Sequence, residues 1–212
     1  MKDRNIILSL FDYSGQWSAP FKNAGYEVFQ IDSKLGINIL NWDYKTINKE
    51  NVYGILAAPP CTQFTKASSN RWFNFDVNGD TARSLILIQT TLNIIKYFNP
   101  FFWALENPPG RLTKIYPPIA PFKLFRFYPW QFGDPIHKQT EIYGNFNPFL
   151  IQKPVKPIYT VAGKRSKPSI MDFYKLKYPK YNRASLRSIT PTGFANAFYN
   201  ANRNLSFEKS LS

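Results

Sequence analysis

Cysteine and histidine are almost missing from this sequence, which has 212 residues and one of each. A single cysteine excludes an internal disulfide framework and any metal site built from several cysteines. One histidine removes most zinc chemistry as well, because catalytic zinc sites use about three N, S or O protein ligands. We therefore expect no bound metal.

Long apolar runs are also missing, since no stretch approaches the roughly 18–20 residues of a membrane span. The first residues, Met1 to Arg4, are polar and lead directly into a short strand-like segment, unlike the apolar core of a signal peptide. Hydrophobic residues still make up 44% of the chain, which is ample material for a buried core. These features predict a soluble intracellular protein of one domain with no membrane partner.

Acidic residues are scarce: the sequence has 13 Asp and Glu and 27 Lys and Arg, which gives a formal net charge of +14. The excess is uneven: residues 151–212 hold 12 basic and 2 acidic residues, mixed with aromatics and prolines. This mixture indicates a polyanionic partner, most simply nucleic acid. A solubility role or a basic host proteome would produce the same charge and stays open as an alternative.

Short apolar runs alternate with helical patterns along the chain. Strands are predicted at Asn5–Leu10, Tyr26–Ile31, Val52–Ala57 and Phe101–Leu105. Helices are predicted at Trp17–Ala24, Thr81–Phe98 and Pro191–Asn202. This alternation is typical of an α/β fold with a mostly parallel, twisted sheet.

Chemically useful side chains stand at or just after the ends of these strands. They are Asp12, Asp32, Cys61 and Glu106. Open α/β sheets bind their ligands at the carboxyl ends of the strands. We therefore expect the four side chains to share one functional edge.

The stretch 147–186 is proline-rich, basic and aromatic, with little periodicity. We interpret it as an inserted binding segment with too few residues to build its own core. The predicted organisation is a catalytic domain at 1–146 and 187–205, the insertion at 147–186, and a tail at 206–212.

Cys61 follows two prolines and precedes a polar loop, and there a thiol beside basic groups can become a thiolate nucleophile. The alternative is a small buried hydrophobe, which is what a lone cysteine usually is. Glu106 follows a very apolar strand, where a carboxyl is suited to proton donation. Its alternative is a structural or capping acid.

The motifs at these positions resemble those of the DNA cytosine-C5 methyltransferase family, in the same order and with similar spacing over about residues 5–202. The resemblance rests on Asn5-Ile-Ile-Leu-Ser-Leu-Phe-Asp-Tyr-Ser-Gly15, Pro59-Pro-Cys-Thr-Gln-Phe-Thr65, Glu106-Asn-Pro108 and Thr190-Pro-Thr-Gly-Phe-Ala-Asn-Ala-Phe198. It implies a Rossmann-like, S-adenosylmethionine-dependent methyltransferase fold. It also implies a cytosine-C5 transfer through a Cys61 adduct, with Glu106 donating to ring N3.

The resemblance implies the binding residues as well. For the cofactor, S-adenosylmethionine, they are Phe11, Asp12, Gly15, Asp32, Asn38, Pro59 and Asn196. For the DNA it implies Asn107, with Lys138 in place of a family arginine. From the basic, aromatic composition we also expect Lys164, Arg165 and Lys167 to contact DNA, and Arg111 is a candidate from its position after the Pro108-Pro109-Gly110 turn. The chain looks like a small, phage-type form, and we expect a monomer in the cytoplasm of a bacterium or a phage-infected cell.

Three features depart from the family pattern. Gln16-Trp17-Ser18 replaces its glycine pair, Thr65 stands where serine is commoner, and 132–140 offers Lys138 where the family has an arginine motif. The target-recognition region is reduced to roughly 40 residues. A surface-charge role is the alternative for Arg111.

Other functions remain to be weighed. An RNA cytosine methylase usually employs two cysteines, and a uridine-C5 methylase would lack the Glu-Asn-Pro motif. Methyl transfer to a free nucleotide is a further possibility, and the basic C-terminal part of the chain argues against it. The strongest alternative is a catalytically weak DNA-binding protein that keeps the cofactor fold without independent methylation.

Overall fold

A computed structural model describes residues 4–160 and 168–204. The strands are β1 (Ile6–Leu10), β2 (Glu27–Ile31), β3 (Val52–Ala57), β4 (Phe102–Asn107), β5 (Lys123–Phe127), β6 (Ile136–His137), β7 (Thr140–Asn145) and β8 (Tyr159–Thr160). The α-helices are α1 (Ala19–Asn23), α2 (Trp72–Val77), α3 (Asp80–Phe98), α4 (Leu112–Ile115), α5 (Ile170–Lys175), α6 (Arg183–Ser188) and α7 (Thr192–Asn202). Short 3-10 helices lie at Ser33–Leu35, Tyr44–Thr46, Lys49–Asn51, Lys66–Arg71, Pro117–Phe122 and Pro129–Phe132.

Six strands form the central sheet in the order β2-β1-β3-β4-β7-β5. β1 pairs in parallel with β2 and β3, and β3 pairs in parallel with β4. Only β7 is reversed in this sheet, because it runs antiparallel to both β4 and β5. The predicted α/β, Rossmann-like fold with a mostly parallel sheet is therefore confirmed.

The central strands are covered on both faces, and every residue of β1 and β3 is buried. Burial on both faces explains why parallel strands read as continuous apolar runs. One face packs an aromatic cluster that includes Trp17, Phe21 and Phe198 beneath α1 and α7. Gly54 in β3 makes room for the Phe102 ring, because a Cβ there would lie 2.2 Å from it.

The other face of the sheet is covered by α3. The helix predicted at Thr81–Phe98 is confirmed as α3, where Ile88 and Ile95 are buried and Leu85 and Leu92 pack partly buried against the same core. The predicted helix at residues 17–24 is shorter in the structure, where α1 covers Ala19–Asn23. Among the described residues, no helix has the length and apolar character needed to cross a bilayer.

The stretch after residue 147 is more ordered than its sequence indicates. It contributes α5, α6 and β8, which pairs in parallel with β6. A small core also forms here, from Ile136, Ile170, Tyr174, Leu186 and Ile189. Ile136 and Ile189 lie outside the stretch 147–186, so the stretch shares this small core with the rest of the chain. The limits at 147 and 186 stay a prediction.

Candidate active site

The carboxyl ends of β2, β1, β3 and β4 lie side by side, because these strands are parallel neighbours in the sheet. Asp12, Asp32 and Cys61 follow β1, β2 and β3, and Glu106 is the penultimate residue of β4. The structure therefore gathers at one edge four residues that the sequence singled out. This is the edge at which open α/β sheets bind ligands.

The loop after β1 is organised around the buried carboxylate of Asp12. That carboxylate accepts hydrogen bonds from the hydroxyls of Ser9 at 2.8 Å, Ser18 at 3.0 Å and Ser14 at 3.2 Å. The Asp12 carbonyl accepts from Gln30 Nε2 at 2.7 Å. Buried polar groups need such partners, so Asp12 holds the loop in shape. Direct contact of Asp12 with a cofactor stays a prediction.

Phe11 and Gly15 give this loop its tight course. Both have positive φ, +59° for Phe11 and +66° for Gly15. A Cβ at Gly15 would lie 2.9 Å from Gln30 Nε2 and so displace the side chain that holds the Asp12 carbonyl. Glycine suits such a position because it lacks the Cβ.

Asp32 and Asn38 offer oxygen acceptors after β2. Asp32 Oδ1 accepts from the backbone N–H of Lys34 at 2.8 Å, and Asn38 Oδ1 accepts from Leu40 N–H at 3.0 Å. Asn38 is exposed, and Asp32 is half-buried. Both positions can therefore reach a ligand at this edge.

The C-terminal part of the chain folds against the same edge. Lys34 Nζ donates to the Ser185 hydroxyl at 2.8 Å, and the rings of Tyr13 and Tyr181 lie 5.2 Å apart. Lys34 also stands over the Tyr13 ring, 5.1 Å from its centroid. Neither Tyr181 nor Ser185 was predicted from the sequence, because they belong to no motif.

The Cys61 loop packs on the loop that follows Glu106. The Cys61 carbonyl accepts from the N–H groups of Phe64 and Thr65, both at 2.9 Å. Phe64 is fully buried, and its own carbonyl accepts from Arg111 N–H at 2.9 Å. A Cβ at Gly110 would lie 1.9 Å from that carbonyl oxygen, so the two backbones approach as closely as glycine allows.

Arg111 ties this pair of loops to the neighbouring helices. Its guanidinium donates to both carboxylate oxygens of Asp76 at 2.7 Å, to Thr81 Oγ1 at 3.0 Å and to the Gln63 carbonyl at 3.0 Å. It also lies 4.9 Å from the ring centroid of Trp72. These contacts lower the pKa of Asp76 to about 2, chiefly through the Arg111 hydrogen bond. Arg111 is buried within the protein, and its predicted contact with DNA stays a prediction.

Cys61, Glu106 and Lys138 form one electrostatic group. Lys138 Nζ lies 3.8 Å from Glu106 Oε1, and the two side chains are 18% and 19% exposed. Lys138 also donates to the Arg187 carbonyl at 3.2 Å. Burial raises the pKa of the Cys61 thiol to about 11, the charge of Glu106 adds to this rise, and Lys138 and Arg187 oppose it.

The sequence indicated that basic neighbours would favour a thiolate at Cys61. In the structure burial outweighs them, because removing a thiolate from water costs more than the nearby positive charges return. At neutral pH the Cys61 thiol is therefore protonated.

Glu106 and Lys138 line a narrow pocket that is closed by the residues before α7. Its lining includes Trp17, Phe127, Thr140, Phe194 and the segment 188–191. On the opposite face of β4, the Asn107 side chain is fully buried. Neither its Oδ1 nor its Nδ2 has a hydrogen-bond partner among the described residues. Such an unpaired amide is costly, about 1–3 kcal/mol per group.

The remaining predicted residues are spread out. Pro59 is buried at the start of the Cys61 loop, and Asn196 is exposed on α7. Lys164, Arg165 and Lys167 lie outside the described residues. Within the described ranges no group of three or more His, Cys, Asp or Glu is placed to hold a metal.

Comparison with known proteins supports the resemblance. A protein of Frog virus 3 (isolate Goorha), described as "Probable DNA (cytosine-5)-methyltransferase", is 31% identical over 125 residues. The match covers 51% of this chain and 56% of that protein, so the chain spans about half the length of the relative it matches. No family model matches the chain.

Two solved structures are more distant. A candidate DNA modification methyltransferase encoded within an E. coli prophage has a TM-score of 0.46 at 15% identity, covering 80% of this chain and 54% of its own. The Entamoeba histolytica methyltransferase EhMeth has a TM-score of 0.46 at 16% identity, covering 73% and 57%. Likenesses this distant bear on neither substrate nor mechanism.

The protonated state of Cys61 can be tested by alkylation. Because Cys61 is the sole cysteine, the iodoacetamide adduct seen by mass spectrometry reports on it alone. The rate should rise with pH up to about 11, where the thiol ionises. Glu106→Gln removes a negative neighbour, lowers the pKa of the thiol and should speed alkylation at pH 8 several-fold. Asp43→Asn, at an exposed site, is the matched control, and an equal rise there would contradict this assignment.

The Arg111–Asp76 pair should stabilise the fold in a pH-dependent way. The pKa of Asp76 is depressed, so its contribution is complete above the ordinary value of 3.8 and disappears as the pH falls through about 2. Urea unfolding should show Asp76→Asn less stable than the wild type at pH 7, with the gap closing toward pH 2. Asp43→Asn should show no such gap. A gap that is equal at pH 7 and pH 3 would mean that the ion pair is not its source.

Proposed function

We propose that this chain is a DNA cytosine-C5 methyltransferase that transfers a methyl group from S-adenosylmethionine to C5 of cytosine through a covalent Cys61 adduct. The observation that carries the proposal is the joint position of Cys61 and Glu106 at the ends of adjacent parallel strands, where their charges influence each other. The Frog virus 3 relative supports the same chemistry. The net charge of +14 supports DNA as the substrate.

The residues at the strand edge fit S-adenosylmethionine by their donor and acceptor chemistry. Asp32 would accept hydrogen bonds from the ribose hydroxyls, and the Asn38 carbonyl would accept from the adenine amino group. The Asp12 network keeps the first loop in a shape that can cradle the methionine part. When bound there, S-adenosylmethionine supplies an electrophilic methyl group.

Cytosine C5 is a poor nucleophile, and the role of Cys61 is to change that. Its sulfur adds to C6, the C5=C6 electron pair shifts into the ring, and Glu106 donates a proton to N3. C5 is then electron-rich enough to take the methyl group, and the electron pair of the broken S–CH3 bond stays on the cofactor sulfur. Solvent water takes the C5 proton, the S–C6 bond breaks with its electron pair returning to the Cys61 sulfur, and N3 gives its proton back to Glu106, which restores the ring. The base must leave the helical stack to reach Cys61, so the DNA is bound with a flipped nucleotide.

The protonated thiol has a consequence for this sequence of steps. The addition to C6 needs a thiolate, so the Cys61 thiol must lose its proton before the sulfur attacks. The charge of Glu106 raises the pKa of Cys61, and Lys138, whose Nζ lies 3.8 Å from Glu106 Oε1, opposes that rise.

A second function is favoured by the same thiol. A protein whose thiol rests protonated could bind S-adenosylmethionine and DNA without independent methylation. Turnover distinguishes the two functions, because binding of both ligands without 5-methylcytosine would favour the second.

Detection of the covalent Cys61 adduct and of its methylated product tests the proposed activity directly. With tritiated S-adenosylmethionine and several DNAs, the wild type should produce mapped 5-methylcytosine, and Cys61→Ser should lose it while binding the cofactor normally. DNA with 5-fluorocytosine should trap an adduct with the wild type alone, because fluorine cannot leave as the C5 proton does. Methylation of DNA by Cys61→Ala would contradict the proposed mechanism.

Asp32 should control cofactor affinity. Asp32→Ala removes charge-assisted hydrogen bonds, which contribute about 1.5–3 kcal/mol, so the affinity for S-adenosylmethionine should fall roughly tenfold or more. Calorimetry measures this directly. Asp43→Asn serves as the matched loss of one exposed carboxylate and should bind as tightly as the wild type. Unchanged affinity in Asp32→Ala would move the cofactor to another part of the fold.

A further inference from the structure

A basic groove opens between the Cys61 loop and the β5 side of the sheet. Its volume is about 460 Å³. Four cationic side chains line it, from three different elements: Lys66, Lys114, Lys123 and Arg126. None of these positions was predicted from the sequence, since they are scattered over 60 residues and belong to no basic run.

A buried acid at the floor of the groove orients two of these cations. Glu141 is 3% exposed, and its Oε1 accepts from Lys123 Nζ at 2.6 Å and from Arg126 Nε at 3.1 Å. Tyr143 donates to its other oxygen at 2.8 Å. Lys123 and Arg126 remain 37% and 47% exposed, so they present donors to the groove. One carboxylate against four cations leaves the groove strongly positive.

The groove adjoins the proposed catalytic residues. Lys66 lies five residues after Cys61, and its backbone N–H donates to the Pro109 carbonyl at 3.0 Å. Glu141 pairs across the sheet with Asn107, the residue after Glu106. A chain of phosphates in this groove would therefore run past the loop that carries the nucleophile.

Aromatic side chains stand beside the cations. Trp72 lines the groove, and its indole N–H has no hydrogen-bond partner among the described residues. The next residue, Phe73, is 78% exposed. Trp72 is half-buried, and the Arg111 guanidinium lies 4.9 Å from its ring centroid, so Trp72 forms part of the groove wall.

We propose that this groove binds the phosphodiester backbone of the DNA strand that flanks the base presented to Cys61. The proposal rests on the function proposed above. A single phosphate would need one compact cluster, whereas these cations are spread over the 3-10 helix Lys66–Arg71, α4 and β5. That spread matches successive phosphates along a strand, whose contacts position DNA without reading its sequence.

Binding of fluorescent DNA over a range of salt concentrations tests the proposal. Lys66→Gln with Lys114→Gln removes two cations that form no ion pair with an acidic side chain among the described residues. Because each phosphate contact contributes about −0.9 to the log–log salt slope on duplex DNA, the slope should become shallower by nearly two. At about 0.1 M salt the affinity should fall roughly ten- to a hundredfold, equally on unrelated sequences. Lys114→Gln alone should give about half of the change in slope.

The matched control is Lys45→Gln with Lys96→Gln, which removes the same charge at the opposite edge of the sheet, near the C-terminal end of α3. It should leave the salt slope within error of the wild type. An equal change in both double variants, or an unchanged slope in the groove variant, overturns the proposal.

Anisotropy measured without cofactor keeps this result separate from turnover. If the wild type binds DNA through the groove but makes no 5-methylcytosine, the proposed function is overturned and the proposed DNA contact of the groove is supported. If the wild type methylates DNA but the groove variant keeps the salt slope of the wild type, the groove proposal is overturned and the proposed function is supported. Failure of the wild type to bind DNA would overturn the groove as well.

Discussion

The close approach of two backbones at Phe64 and Gly110 is the constraint on which the candidate site depends. A side chain at residue 110 would collide with the Phe64 carbonyl, 1.9 Å from a Cβ. Because glycine leaves this space empty, the backbone N–H of Arg111 can donate to the Phe64 carbonyl. The Arg111 guanidinium can then reach the Gln63 carbonyl and the Asp76 carboxylate. The Cys61 loop and the loop after Glu106 are thereby fastened into one unit. The parallel pairing of β3 with β4 sets the two loops side by side in the first place.

Burial and charge act against each other in this unit. The Cys61 thiol is kept neutral by desolvation and by Glu106, although Lys138 and Arg187 stand nearby. β4 presents Glu106 to one face of the sheet and Asn107 to the other, because side chains alternate along a strand. The strand therefore lies between the pocket of Glu106 and Lys138 and the basic groove. A carboxylate is buried on the groove side too, where Glu141 holds Lys123 and Arg126.

Local sequence patterns predicted several of the strands and the long helix of the fold. The runs before Asp12 and Cys61 became β1 and β3, since parallel strands buried on both faces are continuously apolar. The run before Asp32 became β2, an edge strand that is only partly buried and contains Glu27 and Gln30. The helix predicted to begin at Thr81 became α3, because its apolar spacing follows the helical period. The region after residue 147 was the main miss. Its helices are six residues each, too short to show a period, and its core depends on Ile136 from elsewhere in the chain.

The sequence by itself determined the strand-and-helix alternation, the residues at the strand ends and the resemblance of its motifs to one family. These are local properties, readable from spacing and residue type. Only the tertiary structure decided that Arg111 is clamped by Asp76, that Cys61 rests protonated, and that Lys66, Lys114, Lys123 and Arg126 share a groove. Each of these depends on distances between residues far apart in the chain and on how much water the fold excludes. Neither quantity is written in any single stretch of residues.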